Sequence, residues 1–400
     1  MTQNPIPPVE ATAVVQLARE LIRIPSVAGR EAGEREAAEL VAGTMRRFGW
    51  HPQLTEVAPG RINVVTTVDG GGGPGPTLAL EGHLDVVTEG DRTDWTVDPF
   101  GAEIRDGRLY GRGAADMKAG VAAMLHGARA LQRSGPFPGC LRLLALCDEE
   151  GMMLGAKRAI ADGHLDGVSG VIVCEPEGGE ICPSSKGAIR LRFELAGRMA
   201  HGAMPDLGRS PIPVASLLIQ ELAEVQDAFQ RDPGAHPTLG MTYLTPTVVI
   251  AGSLEQMNVT PARATVAVDV RTIPGVDHAQ LLADLRSRCA RLGRSHEVAI
   301  DLTVIEDRPP VEIGADEPLV LALGRAHSEL WGHSAPLGGV PGTTDGTIIT
   351  RDTGIPTVVY GPGGKWIAHQ ADEFVEVEEI PRYADTYARA AQIFLSGVAS

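Results

Sequence analysis

The first part of the chain alternates between helical and extended patterns of apolar residues. Apolar positions in residues 11–24 recur at intervals of three and four, which predicts an amphipathic helix, and residues 31–50 continue in the same way. Short β-rich runs follow, and helical stretches separate the later ones. These runs are INVVTTV, TLALEGHL, LRLLALCDEE and VSGVIVCEPE. Such alternation predicts an α/β fold with a mostly parallel sheet flanked by helices.

The order of predicted strands and helices changes after Ser184. Residues 187–306 predict strand, helix, strand, strand, helix and strand, in that order. This is the order of the split βαβ motif, a four-stranded antiparallel sheet with two helices on one face. The alternation of strands and helices resumes after about residue 306. We therefore predict one α/β domain in two parts, 1–185 and 307–400, interrupted by an inserted ferredoxin-like α+β domain, 186–306.

Composition narrows the class of protein without identifying a function. The 400 residues are 43% hydrophobic and carry a formal net charge of −16, which argues against nucleic acid or an anionic membrane as partner. No apolar run approaches the ~20 residues that cross a bilayer, and the N-terminus lacks the pattern of a secretory signal. Five cysteines without a CxxC pair favour a reducing, cytoplasmic location.

Ionisable residues collect where the predicted α/β strands end. Glu81, His83 and Asp85 stand within five residues in the run LALEGHLDVV. Because ligand sites of open α/β sheets form outside the carboxyl ends of the strands, we expect such residues to converge. The others at these positions are Asp116, Glu149, Glu150, Glu175 and His369.

Imidazole and carboxylate donors without thiolate suit zinc, cobalt or manganese. Two metal ions about 3.5–4 Å apart can share a bridging carboxylate, each keeping a histidine and a further acid. Without Glu81, to which we assign no role, the set of residues is large enough for that arrangement and leaves one glutamate and one aspartate over. The extra glutamate could act as general base on a metal-bound water.

Each residue also has an ordinary structural explanation. His83 could be a satisfied core residue, Asp116 a turn former, and the adjacent acids solvated loop charges. Their joint occurrence at successive strand ends favours a metal site, since neighbouring acids such as Glu149 and Glu150 repel without a cation. The glycine run 69–76 lacks the spacing and the lysine of a phosphate loop, so we interpret it as a surface loop.

The chain resembles the superfamily of dinuclear zinc hydrolases that includes acetylornithine deacetylase, succinyl-diaminopimelate desuccinylase, carboxypeptidase G and aminoacylase. The ordered set of motifs is far more specific than any one of them. The resemblance implies a zinc-exopeptidase-like catalytic domain with the insert as a lid and dimerisation domain. In chain order the motifs are GHLDVV, GRGAADMKAG, CDEEGM, CEPEG, AHGAMPDLGRSPI, MNVTPARATVAVDVR, GTTDG and AHQADEFV, between residues 82 and 375.

The resemblance also implies two Zn²⁺ ions, with Co²⁺ or Mn²⁺ as possible substitutes. His83 and Glu175 would hold one ion, Glu150 and His369 the other, and Asp116 would bridge both.

Two further residues receive roles from the same resemblance. Glu149 would be the general base, and Asp85 would accept a hydrogen bond from the second ring nitrogen of His83 and so orient it. The peptide bond between Asp116 and Met117 would be cis.

The resemblance assigns substrate contacts mainly to the insert. His201 would stabilise the oxyanion, and in dimeric relatives this histidine comes from the partner subunit. Arg271 would bind the substrate carboxylate close to Asn258. Thr343 and Thr344 would contact the substrate from the glycine-rich GTTDG loop.

We therefore predict a metal-dependent hydrolase that cleaves the amide bond of N-acyl amino acids, by attack of a metal-bridging water. A metallo-carboxypeptidase or dipeptidase of the same superfamily is the alternative. A non-catalytic binding or dimerising relative is more remote, because no ligand or base is lost. We expect a small-molecule substrate and a homodimer formed through the lid. We assign no role to Glu81, and Arg308 could be a hinge or substrate residue or an ordinary surface residue.

Overall fold

The computed structural model describes residues 4–397, which divide into two compact units. The first unit comprises residues 4–183, 313–340 and 344–397, and the second comprises 184–312 and 341–343. The helices are α1 (Ala11–Ile22), α2 (Glu31–Arg47), α3 (Ala119–Arg133), α4 (Leu154–Ala161), α5 (Pro211–Arg231), α6 (His278–His296), α7 (Pro318–Trp331), α8 (Asp345–Thr353) and α9 (Glu379–Leu395). Among these described helices, none has the length and apolar character needed to span a bilayer.

The strands of the described residues are generally shorter and more numerous than the helices. They are β1 (Gln53–Ala58), β2 (Arg61–Asp69), β3 (Thr77–His83), β4 (Glu103–Arg105), β5 (Arg108–Tyr110), β6 (Cys140–Leu146), β7 (Val168–Val173), β8 (Ser184–Ser185), β9 (Gly187–Ala196), β10 (Ala200–His201), β11 (Tyr243–Ala251), β12 (Val259–Thr260), β13 (Arg263–Thr272), β14 (Ala299–Arg308), β15 (Val311–Glu312), β16 (Thr357–Val359) and β17 (Phe374–Glu376).

The first unit is built on a six-stranded sheet in the order β1-β2-β6-β3-β7-β16. The last four of these strands run parallel, which confirms the predicted mostly parallel sheet. Strand β2 is antiparallel to both neighbours. Its pairing with β1 is antiparallel because a two-residue turn with Gly60 at φ 76° joins the two strands, and so short a connection permits only a hairpin.

Helices cover both faces of this sheet. Leu78 and Leu80 of β3 face a core formed with α1, α2, α3, α7 and α9, whereas Ala79 faces a second core with α4 and α8. Burial on both faces explains the nearly continuous apolar sequence of the central strands. It also leaves the strand ends as the places where polar side chains can gather.

The second unit contains an antiparallel sheet in the order β11-β13-β9-β14. Along the chain its elements follow the predicted order of strand, helix, strand, strand, helix and strand. Buried and less buried residues alternate along β13, so one face of the sheet packs on α5 and α6 and forms the core of this unit.

Candidate metal centre

Side chains from three parallel strands of the first unit meet at the carboxyl edge of the sheet. His83 is the last residue of β3, Glu149 and Glu150 follow β6, and Glu175 follows β7. These strands are neighbours in the order β6-β3-β7, so their ends lie side by side. The convergence expected from the sequence is present in the structure.

Asp116 and His369 reach the same place from irregular segments. Asp116 lies in the turn Ala114–Lys118 before α3, and its peptide bond to Met117 is cis, as the resemblance implied. His369 lies in the loop before β17 and adopts φ 66°, in the left-handed region. A left-handed backbone is uncommon for a non-glycine residue such as His369 and often occurs at functional sites.

The two carboxylate oxygens of Asp116 face two different histidines. Oδ1 lies 3.0 Å from Nε2 of His83, and Oδ2 lies 3.2 Å from Nε2 of His369. Each histidine has a further carboxylate: Glu175 Oε1 lies 3.8 Å from His83 Nε2, and Glu150 Oε1 lies 2.9 Å from His369 Nε2. The arrangement is that of one shared acid and two histidine–acid pairs.

The donor atoms fit a pair of divalent ions. Two ligands that each lie about 2.0–2.1 Å from a tetrahedral zinc ion are about 3.3 Å apart, close to the separations seen around Asp116. At this centre, candidate ligand atoms also lie within 4.8 Å of one another in two groups. One group is His83, Asp116 and Glu150, and the other is His83, Glu149 and Glu175.

The electrostatics of the cluster favour a bound cation. Burial, and then the charges of Asp116 and Glu149, raise the pKa of Glu175 well above its usual range. Burial likewise raises the pKa of Glu149 strongly; the charge of His83 opposes this shift and that of Glu150 adds to it. Buried carboxylates held so close together need compensating positive charge, which divalent metal ions supply.

The prediction that the carboxylate of Asp85 orients His83 is wrong, because the main-chain oxygen of Asp85 does so instead. Nδ1 of His83 lies 2.9 Å from the main-chain oxygen of Asp85 and 3.7 Å from its carboxylate. The carboxylate instead accepts the main-chain N–H groups of Glu149, at 3.1 Å, and Glu150, at 3.0 Å. The prediction assumed an extended chain through Asp85, whereas β3 ends at His83.

Three residues with no predicted role lie next to this centre. Arg112 and Glu373 form a buried ion pair. Both residues lie inside motifs that carry the resemblance, GRGAADMKAG and AHQADEFV, but neither received a role there. Glu81 is buried in β3; burial, and then the charge of Asp345, raise its pKa well above the usual range.

In the second unit, His201 and Asn258 are brought together by the short ladder of β10 with β12. His201 pairs with Val259, and the N–H of Gly202 donates to the oxygen of Asn258 at 2.7 Å. The ring atom Nδ1 of His201 accepts the N–H of Ala203 at 3.0 Å. Both His201 and Asn258 are exposed.

Arg271 and Arg308 form a second group in that unit. Both are register partners of Ala188, on either side of β9. Nε of Arg271 donates to Asp269 at 2.7 Å, and Nη1 of Arg308 donates to the hydroxyl of Thr343 at 3.1 Å. The side chains that neighbour Arg308 thus include one predicted substrate contact.

Thr344 is the N-cap of α8 in the first unit. Its hydroxyl accepts the N–H of Gly346 at 3.2 Å, and Thr347 completes a capping box. The side chain is 2% exposed, so its polar atom is engaged in holding the start of the helix.

The fold and the donor set together define a metal-dependent amidohydrolase. The chain belongs to peptidase family M20/M25/M40, whose model matches residues 79–393.

Relatives and solved structures are similar over nearly the whole chain. A succinyl-diaminopimelate desuccinylase from Rhodospirillum centenum is 31% identical over 96% of this chain and 97% of its own. A probable desuccinylase of the same name from Staphylococcus epidermidis is 28% identical over 90% and 93%. Among solved structures, the aminopeptidase PepT from Bacillus cereus has a TM-score of 0.80 at 21% identity, covering 98% and 100%. An M20 metallo-carboxypeptidase from Sulfolobus solfataricus has a TM-score of 0.78 at 18% identity, covering 95% and 99%.

Proposed function

We propose that this protein hydrolyses the amide bond of N-acyl amino acids with two zinc ions. His83 and Glu175 would hold one ion, Glu150 and His369 the other, and Asp116 would bridge them. The observation that carries this proposal is the position of the Asp116 carboxylate between two histidines. One of its oxygens lies 3.0 Å from His83 and the other lies 3.2 Å from His369. When bound, the ions would polarise the scissile carbonyl and lower the pKa of a water molecule.

Glu149 handles the protons in this proposal. It accepts a proton from the attacking water and later delivers it to the leaving nitrogen. A carboxylate that burial has made a stronger base suits that task, and the raised pKa of Glu149 agrees with it. The hydrogen bond from its N–H to Asp85 holds the base in place.

The second unit supplies most of the substrate contacts that we propose. His201, beside Asn258, stabilises the developing oxyanion. Arg271 binds the carboxylate of the amino-acid part, because a guanidinium offers a planar fork of donors. Thr343 contacts the substrate, and Thr344 supports that loop by capping α8.

The relatives named as desuccinylases support an N-acyl amino acid as substrate. A metallo-carboxypeptidase or dipeptidase is the second candidate, since solved structures with this fold carry those names. Both reactions cleave a linear amide with the same groups, so the substrate alone separates them.

We also propose that the protein is a cytoplasmic homodimer formed through the second unit. Three consecutive apolar residues, Val248, Val249 and Ile250, are exposed on β11, an edge strand of its sheet. Exposed apolar edge strands tend to pair with another chain. All five cysteines are free, which suits a reducing compartment.

Metal analysis of the purified protein, combined with a substrate screen, tests the proposal. The screen compares N-succinyl and N-acetyl amino acids with dipeptides, before and after chelation and after Zn²⁺ is restored. We expect two equivalents of metal and hydrolysis of N-acyl amino acids that chelation abolishes and Zn²⁺ restores. Hydrolysis that persists in chelated, metal-free protein would overturn the proposal, and preference for dipeptides would favour the second candidate.

A further inference from the structure

The buried ion pair of Arg112 and Glu373 holds the main chain of the bridging aspartate. The two side chains are 2% and 0% exposed. Oε1 of Glu373 accepts the N–H of Ala115 at 2.9 Å and the N–H of Asp116 at 3.1 Å, while Oε2 pairs with Nη1 of Arg112. One carboxylate therefore fixes the turn that presents Asp116.

The same arginine holds the loop that presents His369. Nη2 of Arg112 donates to the main-chain oxygen of His369 at 3.2 Å, and Nε donates to the main-chain oxygen of Thr88 at 3.3 Å. The guanidinium also lies 5.3 Å from the centre of the Trp95 ring. Because a guanidinium carries five N–H donors in a rigid fork, one side chain can bind all three partners at once.

His369 depends on such anchoring more than His83 does. The side chain of His83 is 1% exposed at the end of a central strand, so the surrounding core holds it. The side chain of His369 is 52% exposed, in a loop, and its backbone is in the left-handed region at φ 66°. Packing therefore restrains the loop of His369 less than it restrains His83, and the hydrogen bond from Arg112 to the main chain of His369 adds a restraint on that loop.

We propose that Arg112 and Glu373 are positioning residues that set the spacing between Asp116 and His369, and thereby the affinity of the metal site formed by these two residues and Glu150. This inference rests on the dinuclear site of the proposed function. Neither side chain provides a donor atom to that site; both act through the main chain of its ligands. Outer partners of this kind typically change metal affinity by about 10–100-fold.

The effect is expected to be unequal between the two ions. The ion at His83 and Glu175 is held mainly by residues at the ends of β3 and β7, which the ion pair does not contact. Both ions would lose the fixed position of the bridging Asp116, but only the ion at Glu150 and His369 would also lose the fixed loop of His369. Unequal weakening is what separates a positioning role from a general loss of structure.

Titration of the chelated, metal-free protein with Co²⁺ measures this directly, by calorimetry and by the visible absorption of the bound ion. Glu373→Gln keeps an oxygen for the N–H groups of Ala115 and Asp116 but removes the ion pair. Arg112→Lys keeps the positive charge, but one ammonium group cannot reach all the acceptors that the guanidinium binds. Glu150→Gln, which removes a donor from the affected site, identifies the signal of that site.

A matched control exists in the ladder of β5 with β17, which lies next to Arg112 and Glu373 in the sequence. Arg108 of β5 and Glu376 of β17 are register partners and form an exposed ion pair of 2.8 Å. Glu376→Gln and Arg108→Met should leave both Co²⁺ affinities and the spectrum as in the wild type. The unfolding temperature of each metal-free variant shows that the chain is folded before the titration.

We expect Glu373→Gln and Arg112→Lys to weaken the Glu150-dependent ion about 10–100-fold and to alter its spectrum, with a much smaller change for the other ion. Two ions bound with wild-type affinity in both variants would overturn this inference alone, as would equal weakening of both ions. Wild-type protein that binds only one ion would overturn the proposed function as well. If Glu373→Gln does not fold, the Co²⁺ titration of Arg112→Lys alone tests the inference.

Discussion

The main-chain oxygen of Asp85 lies 2.9 Å from Nδ1 of His83, while the carboxylate of Asp85 binds the N–H groups of Glu149 and Glu150. One residue therefore supports a candidate ligand through its backbone and the candidate base through its side chain. Because these tasks belong to different atoms, substitution of the side chain can separate them.

Asp85→Asn is expected to lower kcat while the metal content stays unchanged. The amide keeps one acceptor oxygen but turns an NH₂ group toward the second main-chain N–H, so the turn that carries Glu149 shifts. Small displacements of a catalytic group can cost up to about 100-fold in rate, and we expect a loss of about 10–100-fold. His83 keeps its main-chain hydrogen bond, so metal analysis should still find the wild-type content.

Asp91→Asn is the matched control, because the carboxylate of Asp91 accepts the N–H of Thr93 at 2.9 Å in an exposed turn. It should retain wild-type kcat. Loss of metal from Asp85→Asn would show that the carboxylate supports His83 after all.

Glu149→Gln is expected to reduce hydrolysis about 10²–10⁴-fold, the usual contribution of a general base. An amide of the same shape cannot accept the proton of the attacking water, and the five proposed metal ligands remain. The measurement is kcat with an N-acyl amino acid, together with metal content. Glu103→Gln, at an exposed position in β4, serves as the control. Undiminished turnover by the metal-loaded Glu149 variant would exclude this residue as the base.

Local patterns predicted the strand ends correctly but not the contacts between distant segments. The run that ends at His83 is apolar enough to be a buried strand, so the placement of the histidine at the sheet edge could be predicted. The ion pair of Arg112 with Glu373 joins residues 261 positions apart, and no local pattern links them. Thr344 was expected to contact substrate, and nothing in GTTDG showed that its hydroxyl caps a helix.

Ile250→Lys is expected to convert the proposed dimer to a monomer. Ile250 is 62% exposed on the edge strand β11, and a charge placed there would be buried without a partner when two edges pair. Light scattering after gel filtration gives the mass. Ile305→Lys is the control, because Ile305 is 51% exposed on β14, at the opposite edge of the same sheet. A variant that keeps the dimer mass would place the interface elsewhere, and a monomeric wild type would contradict the dimer.

Glu34, which is not a candidate metal ligand, should make the stability of the fold depend on pH. Burial, and then the charge of Asp85, raise the pKa of Glu34 from 4.5 to about 8, against the opposing charge of Arg61. Arg61 cannot compensate fully: its Nε lies 3.4 Å from Oε1 of Glu34, while Nη1 pairs with Asp148. Between pH 4.5 and 8 the folded chain therefore keeps a proton that the unfolded chain releases, so this residue reduces stability progressively as pH rises.

Glu34→Gln, which resembles the protonated form, should match the wild type near pH 4.5 and become more stable than it as pH rises to 8. We expect a difference in the free energy of unfolding of roughly 2–4 kcal/mol at pH 8, measured by urea denaturation at both pH values. Glu39→Gln, at an exposed position of the same helix, should change stability by less than about 0.5 kcal/mol at either pH. A Glu34→Gln difference that stays constant between the two pH values would show that Glu34 ionises normally in the folded chain.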